Sequence, residues 1–330
     1  MPLSDSRSTP AFLAFALSAC LASERLSAGD WLQFGGDPRH SGNASAETTL
    51  GRENVGRLKR LFHASLPDGS DGAPAYLSGV TTAKGKRDLL FVTLAGGGVS
   101  ALDARTGEVV WTNRPPAGRP GFTMSCPAVD PGRLYVYGWA LDGSVHRYRV
   151  GDGVEASGDG WPALVSLKPE LEKCSSCLAI ATARSGRSYL YAATSSFGDA
   201  GDYQGHVTAI DLASGAQRVF NAVCSEIGTH LDASGAAPTG CATAGMGVWA
   251  RSGVVYDADA DRILLTTSNG DFHPAPPSRS WGDSVLALAP DGSGNGAMPL
   301  DSYTPAEYDQ LGGQDIDLGS TTLAILPPPP

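Results

Sequence analysis

Apolar and polar residues recur along this chain in short runs, and the runs come in matched sets. The clearest set is Leu89-Leu90-Phe91-Val92-Thr93, a glycine tip at Gly96 to Gly98, then Val99-Ser100-Ala101-Leu102-Asp103. Strict alternation puts every second side chain on one face, the period of a β-strand. A corner follows, Asp103-Ala104-Arg105-Thr106-Gly107, and then Val109-Val110-Trp111. Aspartate at the head of such a corner accepts backbone N–H bonds, and the closing glycine supplies a positive φ. A second set runs Tyr189 to Thr194, Gly205 to Gly215, then Val219-Phe220, with Asp211 and Gly215 at the corner. Weaker copies span Leu134 to Gly138 with Gly143 to Gly153, and Ile263 to Thr267 with Val285 to Gly292. Each set predicts two or three antiparallel strands.

One such sheet cannot bury both of its faces. Repetition about an axis solves this, with the aromatic after each corner (Trp111, Phe220) wedged between neighbouring sheets. The expected fold is therefore all-β, a β-propeller of about four to five blades in an incomplete ring. Widening intervals between Val99, Val145, Val207 and Val285 predict insertions at 152–177, 220–245 and 272–281. A stacked-sheet sandwich would also account for the strands, but not for the repeated Ala-x-Asp-x-x-Thr/Ser-Gly phrase.

Composition adds limits. The chain has 42 Gly and 23 Pro with only 18% charged residues, which favours strands and turns over helices. Its 24 basic and 34 acidic residues give a net charge of -10, and no basic stripe interrupts the acidic balance, so nucleic acid is excluded as an expected partner.

Residues 1–28 read as an export segment. Arg7 precedes an apolar stretch from Ala11 to Ala22. As a helix that stretch would reach about 18 Å, short of the roughly 30 Å needed to span a bilayer. Leu17-Ser18-Ala19-Cys20 resembles a lipoprotein lipobox, which would place a lipid on Cys20; cleavage after Ala28 is the alternative. The expected location is the periplasm or cell surface, with membrane contact only through that lipid. Export favours disulfides. Cys174 with Cys177 could form a local bridge, Cys224 with Cys241 could close a loop, and the Cys174/Cys177 pair lacks the second half of a zinc site.

The corner phrase ending in Trp111 resembles the blade motif of quinoprotein alcohol dehydrogenases and their non-enzymatic PQQ-repeat relatives. The opening agrees: Trp31, Gly35, Asp37, Ser41-Gly42-Asn43 and Asn54-Val55-Gly56-Arg57-Leu58 resemble that family's entry to its first blade. The likeness runs over residues 29–326. The family closes its ring with eight blades, so the terminal run Pro327 to Pro330 suggests a chain truncated at its C-terminus.

In the enzymes, pyrroloquinoline quinone lies over the axis with a calcium ion. The resemblance implies Asn269 (in Thr266-Thr267-Ser268-Asn269-Gly270), Asp199 and Asp317 around calcium, with Asp317 also the base that takes the alcohol proton. Calcium prefers hard oxygen ligands, and removal of hydride needs a nearby base. Asp199 and Asp202 stand where a Glu is usual. Trp249 is the expected floor beneath the quinone. Many members carry two adjacent cysteines above the quinone; Ser125-Cys126-Pro127 offers one, so that bridge cannot form. Cys-x-x-Cys-His is absent, which implies no heme and a separate electron acceptor. Trp31, Trp111 and Trp281 are expected as packing wedges, and Asp283 as a structural residue. His146, His206, His230 and His273 lack metal-ligand spacing and are expected at the surface. Two functions stay open: oxidation of a small alcohol, or a binding or assembly scaffold for a protein partner.

Overall fold

The computed structural model describes residues 29–115, 121–232 and 241–326. The export segment with Cys20 and the terminal prolines lie outside the described residues. Four antiparallel four-stranded sheets follow one another along the chain. The first is built from Ala75–Thr82, Gly85–Thr93, Val99–Asp103 and Val109–Asn113. The second uses Ala128–Val129, Tyr135–Trp139, Ser144–Arg149 and Ala163–Leu164. The third uses Ala179–Thr182, Ser188–Ala193, His206–Asp211 and Gln217–Asn221. The fourth uses Val255–Asp257, Arg262–Thr266, Val285–Leu288 and Asp301–Tyr303. Each is a simple meander, the strand order of a propeller blade.

The corners take the form the phrase implies. Asp103 Oδ1 accepts from the backbone N–H groups of Arg105 and Thr106, both at 3.0 Å. Asp211 Oδ1 accepts from Ala213 and Ser214 at 3.1 and 2.9 Å. Gly107 and Gly215 close the corners at φ 75° and 67°. The wedges also fall into place. Trp111 packs between Phe91 of its own blade and Tyr148 of the next, and its indole N–H donates to Val150 O at 2.9 Å. Phe220 and Trp281 lie in the core between the third and fourth blades.

The first strands of the first three blades touch in turn and so form the inner side of the fan. A thread from Trp31 to Pro38 is laid across the first strands of all four blades. Trp31 pairs with Tyr76, and Val129 N donates to Leu32 O. The Gln33 side-chain amide exchanges two hydrogen bonds with the backbone of Ile180, at 3.1 and 2.6 Å. Tyr256 N donates to Pro38 O.

Some expectations need correction. The 152–177 stretch is not wholly an insertion, since Ala163–Leu164 is the fourth strand of the second blade. The local Cys174/Cys177 bridge does not form: Cys177 is bonded to Cys126, and Cys174 is a buried free thiol. Cys224 and Cys241 do pair. His146 and His206 are buried rather than at the surface, 4% and 2% exposed. His146 bridges Asp142 and Glu155, while His206 Nε2 bonds Val165 O. Among the described residues no helix is long and apolar enough to cross a membrane.

Candidate functional site

In each meander the second strand ends, and the first strand begins, on the side opposite the Asp–Gly corners. On that side the segments entering the inner strands are tied together. Cys126 and Cys177, each two residues before an inner strand, form the disulfide. Leu178 N donates to Cys126 O, Cys177 N donates to Arg251 O, and Arg251 Nη1 donates to Met124 O at 2.9 Å. This collar bounds a cavity of about 330 Å³ whose lining includes Lys173, Asp199, Tyr203, Trp249, Asp315 and Asp317.

Three of the four expected site residues, Asp199, Trp249 and Asp317, thus share one cavity. Trp249 enters from the segment before the fourth blade's inner strand and is 36% exposed. Its Nε1–H donates to Asp317 Oδ2 at 3.0 Å. Asp317 Oδ1 is buried without a hydrogen-bond partner. Burial raises the Asp317 pKa above the ordinary carboxylate value; the Trp249 bond and the Asn269 backbone N–H pull against this, and the charges of Asp315 and Asp199 add to the rise.

Asn269 follows the second strand of the fourth blade and stands just outside this cavity, on an adjoining hollow of about 460 Å³ that shares Asp199 and Tyr203. Its Nδ2 donates to Asp315 Oδ1 at 3.3 Å. Asp199 sits at φ 52° in a tight turn, held by the Tyr203 hydroxyl donating to its Oδ1. Asp202 is not part of the lining of either hollow, and its carboxylate accepts from Gln204 Nε2 at 2.9 Å.

Several residues hold this arrangement; Asp283 is the structural residue expected from the sequence, while Lys168, Glu172 and Gln204 carry no mark there. Asp283 is fully buried, and its Oδ1 accepts the Leu318 N–H at 2.9 Å, which pins the residue next to Asp317. Lys168 is 0% exposed; its ammonium lies 3.3 Å from Glu172 Oε1 and donates to Asp202 O at 2.7 Å and to the Gln204 side chain. Gln204 N also donates to Glu172 Oε1 at 3.0 Å. A buried pair stranded without these partners would be costly; here it anchors the C-terminal end of the turn that presents Asp199. Glu172–Lys173 pairs as a short strand with Ser195–Ser196, so Glu172 faces that network while Lys173 reaches the cavity.

The donors suit a hard cation. The charges of Asp199 and Asp315 act on Asp317, and one of its carboxylate oxygens has no partner. Among the described residues no three Asp, Glu, His or Cys side chains converge closely enough to enclose a metal. Asn269 and atoms of a bound ligand would have to complete the shell. The exposed Trp249 ring suits a planar conjugated group.

No curated protein matches the sequence. Solved structures similar in fold include the quinohemoprotein alcohol dehydrogenase of Pseudomonas putida HK5, at TM-score 0.58 and 18% identity over 84% of this chain and 40% of that one. The quinohemoprotein alcohol dehydrogenase of Comamonas testosteroni gives 0.54 and 19%, over 83% of this chain and 41% of that one. A europium-containing methanol dehydrogenase gives 0.52 and 16%, over 84% and 49%. The chain spans less than half the length of each, and at such identity the likeness is one of fold. The PQQ-repeat family model described as outer membrane protein assembly factor BamB matches residues 45–268, more than half of the chain. The protein belongs to this family of PQQ-repeat β-propellers.

Proposed function

We propose that the protein is an exported, quinone- and calcium-dependent oxidoreductase acting on an alcohol, with Asp317 as the base. The observation that carries this is the Trp249–Asp317 pair: an indole fixes one carboxylate oxygen while the other is buried and unpartnered. Burial and neighbouring charge strengthen Asp317 as a proton acceptor. In this assignment Asn269, Asp199 and Asp317 contribute oxygens to calcium, and Trp249 lies under pyrroloquinoline quinone. The bound quinone would supply the hydride acceptor. The chain's own part is to orient the alcohol hydroxyl, accept its proton on Asp317, and hold that carboxylate through Trp249 and the Asp283-pinned backbone. Electrons then leave to a separate acceptor.

The full chain, mixed with calcium and pyrroloquinoline quinone, should show calcium-dependent quinone absorbance and reduce a dye with short alcohols. Asp317→Asn should lower turnover by about 10²–10⁴-fold. A folded sample that binds no quinone rejects the proposal.

A second function has its own support. Cys126 is committed to Cys177, so no adjacent-cysteine bridge covers the cavity, and the matching family model is described by an assembly factor. Under it the propeller is a scaffold for a protein partner, and lipid on Cys20 would hold it at a membrane. Retained fold without quinone binding favours this function.

A further inference from the structure

Lys173 has no role in the chemistry assigned above, yet its setting is unusual. The residue is 5% exposed and lines the same cavity as Trp249 and Asp317. Its ammonium lies 3.8 Å from the centre of the Phe122 ring and 5.4 Å from that of Phe197. The two rings meet edge to face, 6.1 Å apart. Among the described residues the ammonium has no carboxylate or hydrogen-bond acceptor.

A lysine buried against apolar surface usually carries its charge out to water. This one brings its charge against two rings at the cavity wall. The faces of the two rings favour a cation, but they offer no lone pair to its three N–H donors. Burial works against the charged form and lowers the Lys173 pKa. A negatively charged ligand group would reverse that penalty and satisfy the donors in one contact. The placement of the residue is also fixed. Glu172 is locked by Lys168, Ser166 and Gln204 N, and the strand pairing with Ser195–Ser196 turns the next side chain to the cavity.

Asp315 and Asp317 come from the segment after the fourth blade, Lys173 from the segment before the third, Phe122 from the segment before the second, and Phe197, with Asp199, from the loop between the second and third strands of the third blade. One cavity therefore offers the Asp317 carboxylate and an ammonium that meets two aromatic rings and no acceptor among the described residues.

We propose that Lys173, with Phe122 and Phe197, forms a subsite for the carboxylate of an organic ligand. The ligand's identity rests on the proposed oxidoreductase function: either the alcohol substrate is a hydroxy acid, or the carboxylate belongs to the quinone. The subsite itself does not depend on turnover.

The test begins with benzoate and its neutral isostere benzamide, titrated into the full chain without quinone and followed by calorimetry. Wild-type protein should prefer benzoate by about tenfold or more, the factor that one charge-assisted contact supplies. Lys173→Met should abolish the preference, and Lys173→Arg should keep most of it. Thermal melts confirm that each variant is folded. Absence of preference in the wild type, or its survival in folded Lys173→Met, overturns the proposal.

Two further arms locate the source of the carboxylate. If Lys173→Met weakens quinone binding and benzoate competes with quinone, the cofactor carries the group. If quinone binding is unchanged while KM rises for a hydroxy acid but not for a neutral alcohol, the substrate carries it. A benzoate preference without quinone-dependent turnover keeps the subsite and removes only the oxidoreductase function.

Discussion

The two ends of the same blades obey different rules. At the corner end, Asp103 and Asp211 make nearly identical sets of bonds, and each is followed by a glycine at positive φ. At the cavity end nothing repeats. Trp249, Asp199, Lys173 and Asp317 each arise from a different kind of segment, and two polar groups there, Asp317 Oδ1 and Asp283 Oδ2, have no partner. Satisfied repetition builds the corners. Unsatisfied, unrepeated groups at the opposite end are where chemistry is possible, because a bare buried acceptor or ammonium gains most from a ligand.

This contrast can be broken by mutation, and the largest effect is expected in a wedge. Trp111→Ala removes a ring packed between Phe91 and Tyr148 and leaves a cavity, so chemical denaturation should report a loss of about 3–5 kcal/mol. Next comes a corner. Asp211→Ala strands the Ala213 and Ser214 N–H groups, and should lower stability by about 1–3 kcal/mol without altering ligand binding.

The smallest expected stability effect, opposite in sign, is at Asp317. Its folded-state pKa is raised above that of the unfolded chain, so the ionised carboxylate destabilises the fold at neutral pH. That penalty vanishes as pH falls through the raised pKa. Asp317→Asn should therefore melt slightly higher than wild type at pH 7, with the difference shrinking in acid. By the same shift, turnover in the wild type should fall off on an acid limb above the usual carboxylate range. A variant that melts lower than wild type at pH 7 would show that the charge at Asp317 is already compensated.

The corner end was legible in the sequence because its physics is local. Asp103, Thr106 and Gly107 meet within one turn, and Trp111 follows at fixed distance. The cavity end was legible only where the family likeness reached, at Asp199, Trp249, Asn269 and Asp317. What stayed hidden depends on distant segments. Cys174 and Cys177 look like natural partners, but Cys177 N is engaged by Arg251 O and its sulfur meets Cys126 in the neighbouring blade's entry. His146 and His206 read as solvated because nothing nearby in sequence predicts the Glu155 or Val165 O acceptors that let them be buried. Lys173 is an ordinary charged residue in sequence; only the approach of Phe122 and Phe197 makes it otherwise.

The Trp31–Pro38 thread bears on the order in which the molecule forms. It is synthesised ahead of every blade, yet its bonds with Val129, Ile180 and Tyr256 cannot exist until those strands are in place, and Gln33 lies 147 residues from Ile180. Closing loops of that size is entropically unfavourable until the sheets already stand side by side. The Trp31–Tyr76 pair needs only the first blade, whereas the bonds to Val129, Ile180 and Tyr256 make the same segment a clasp across strands that are far apart in sequence.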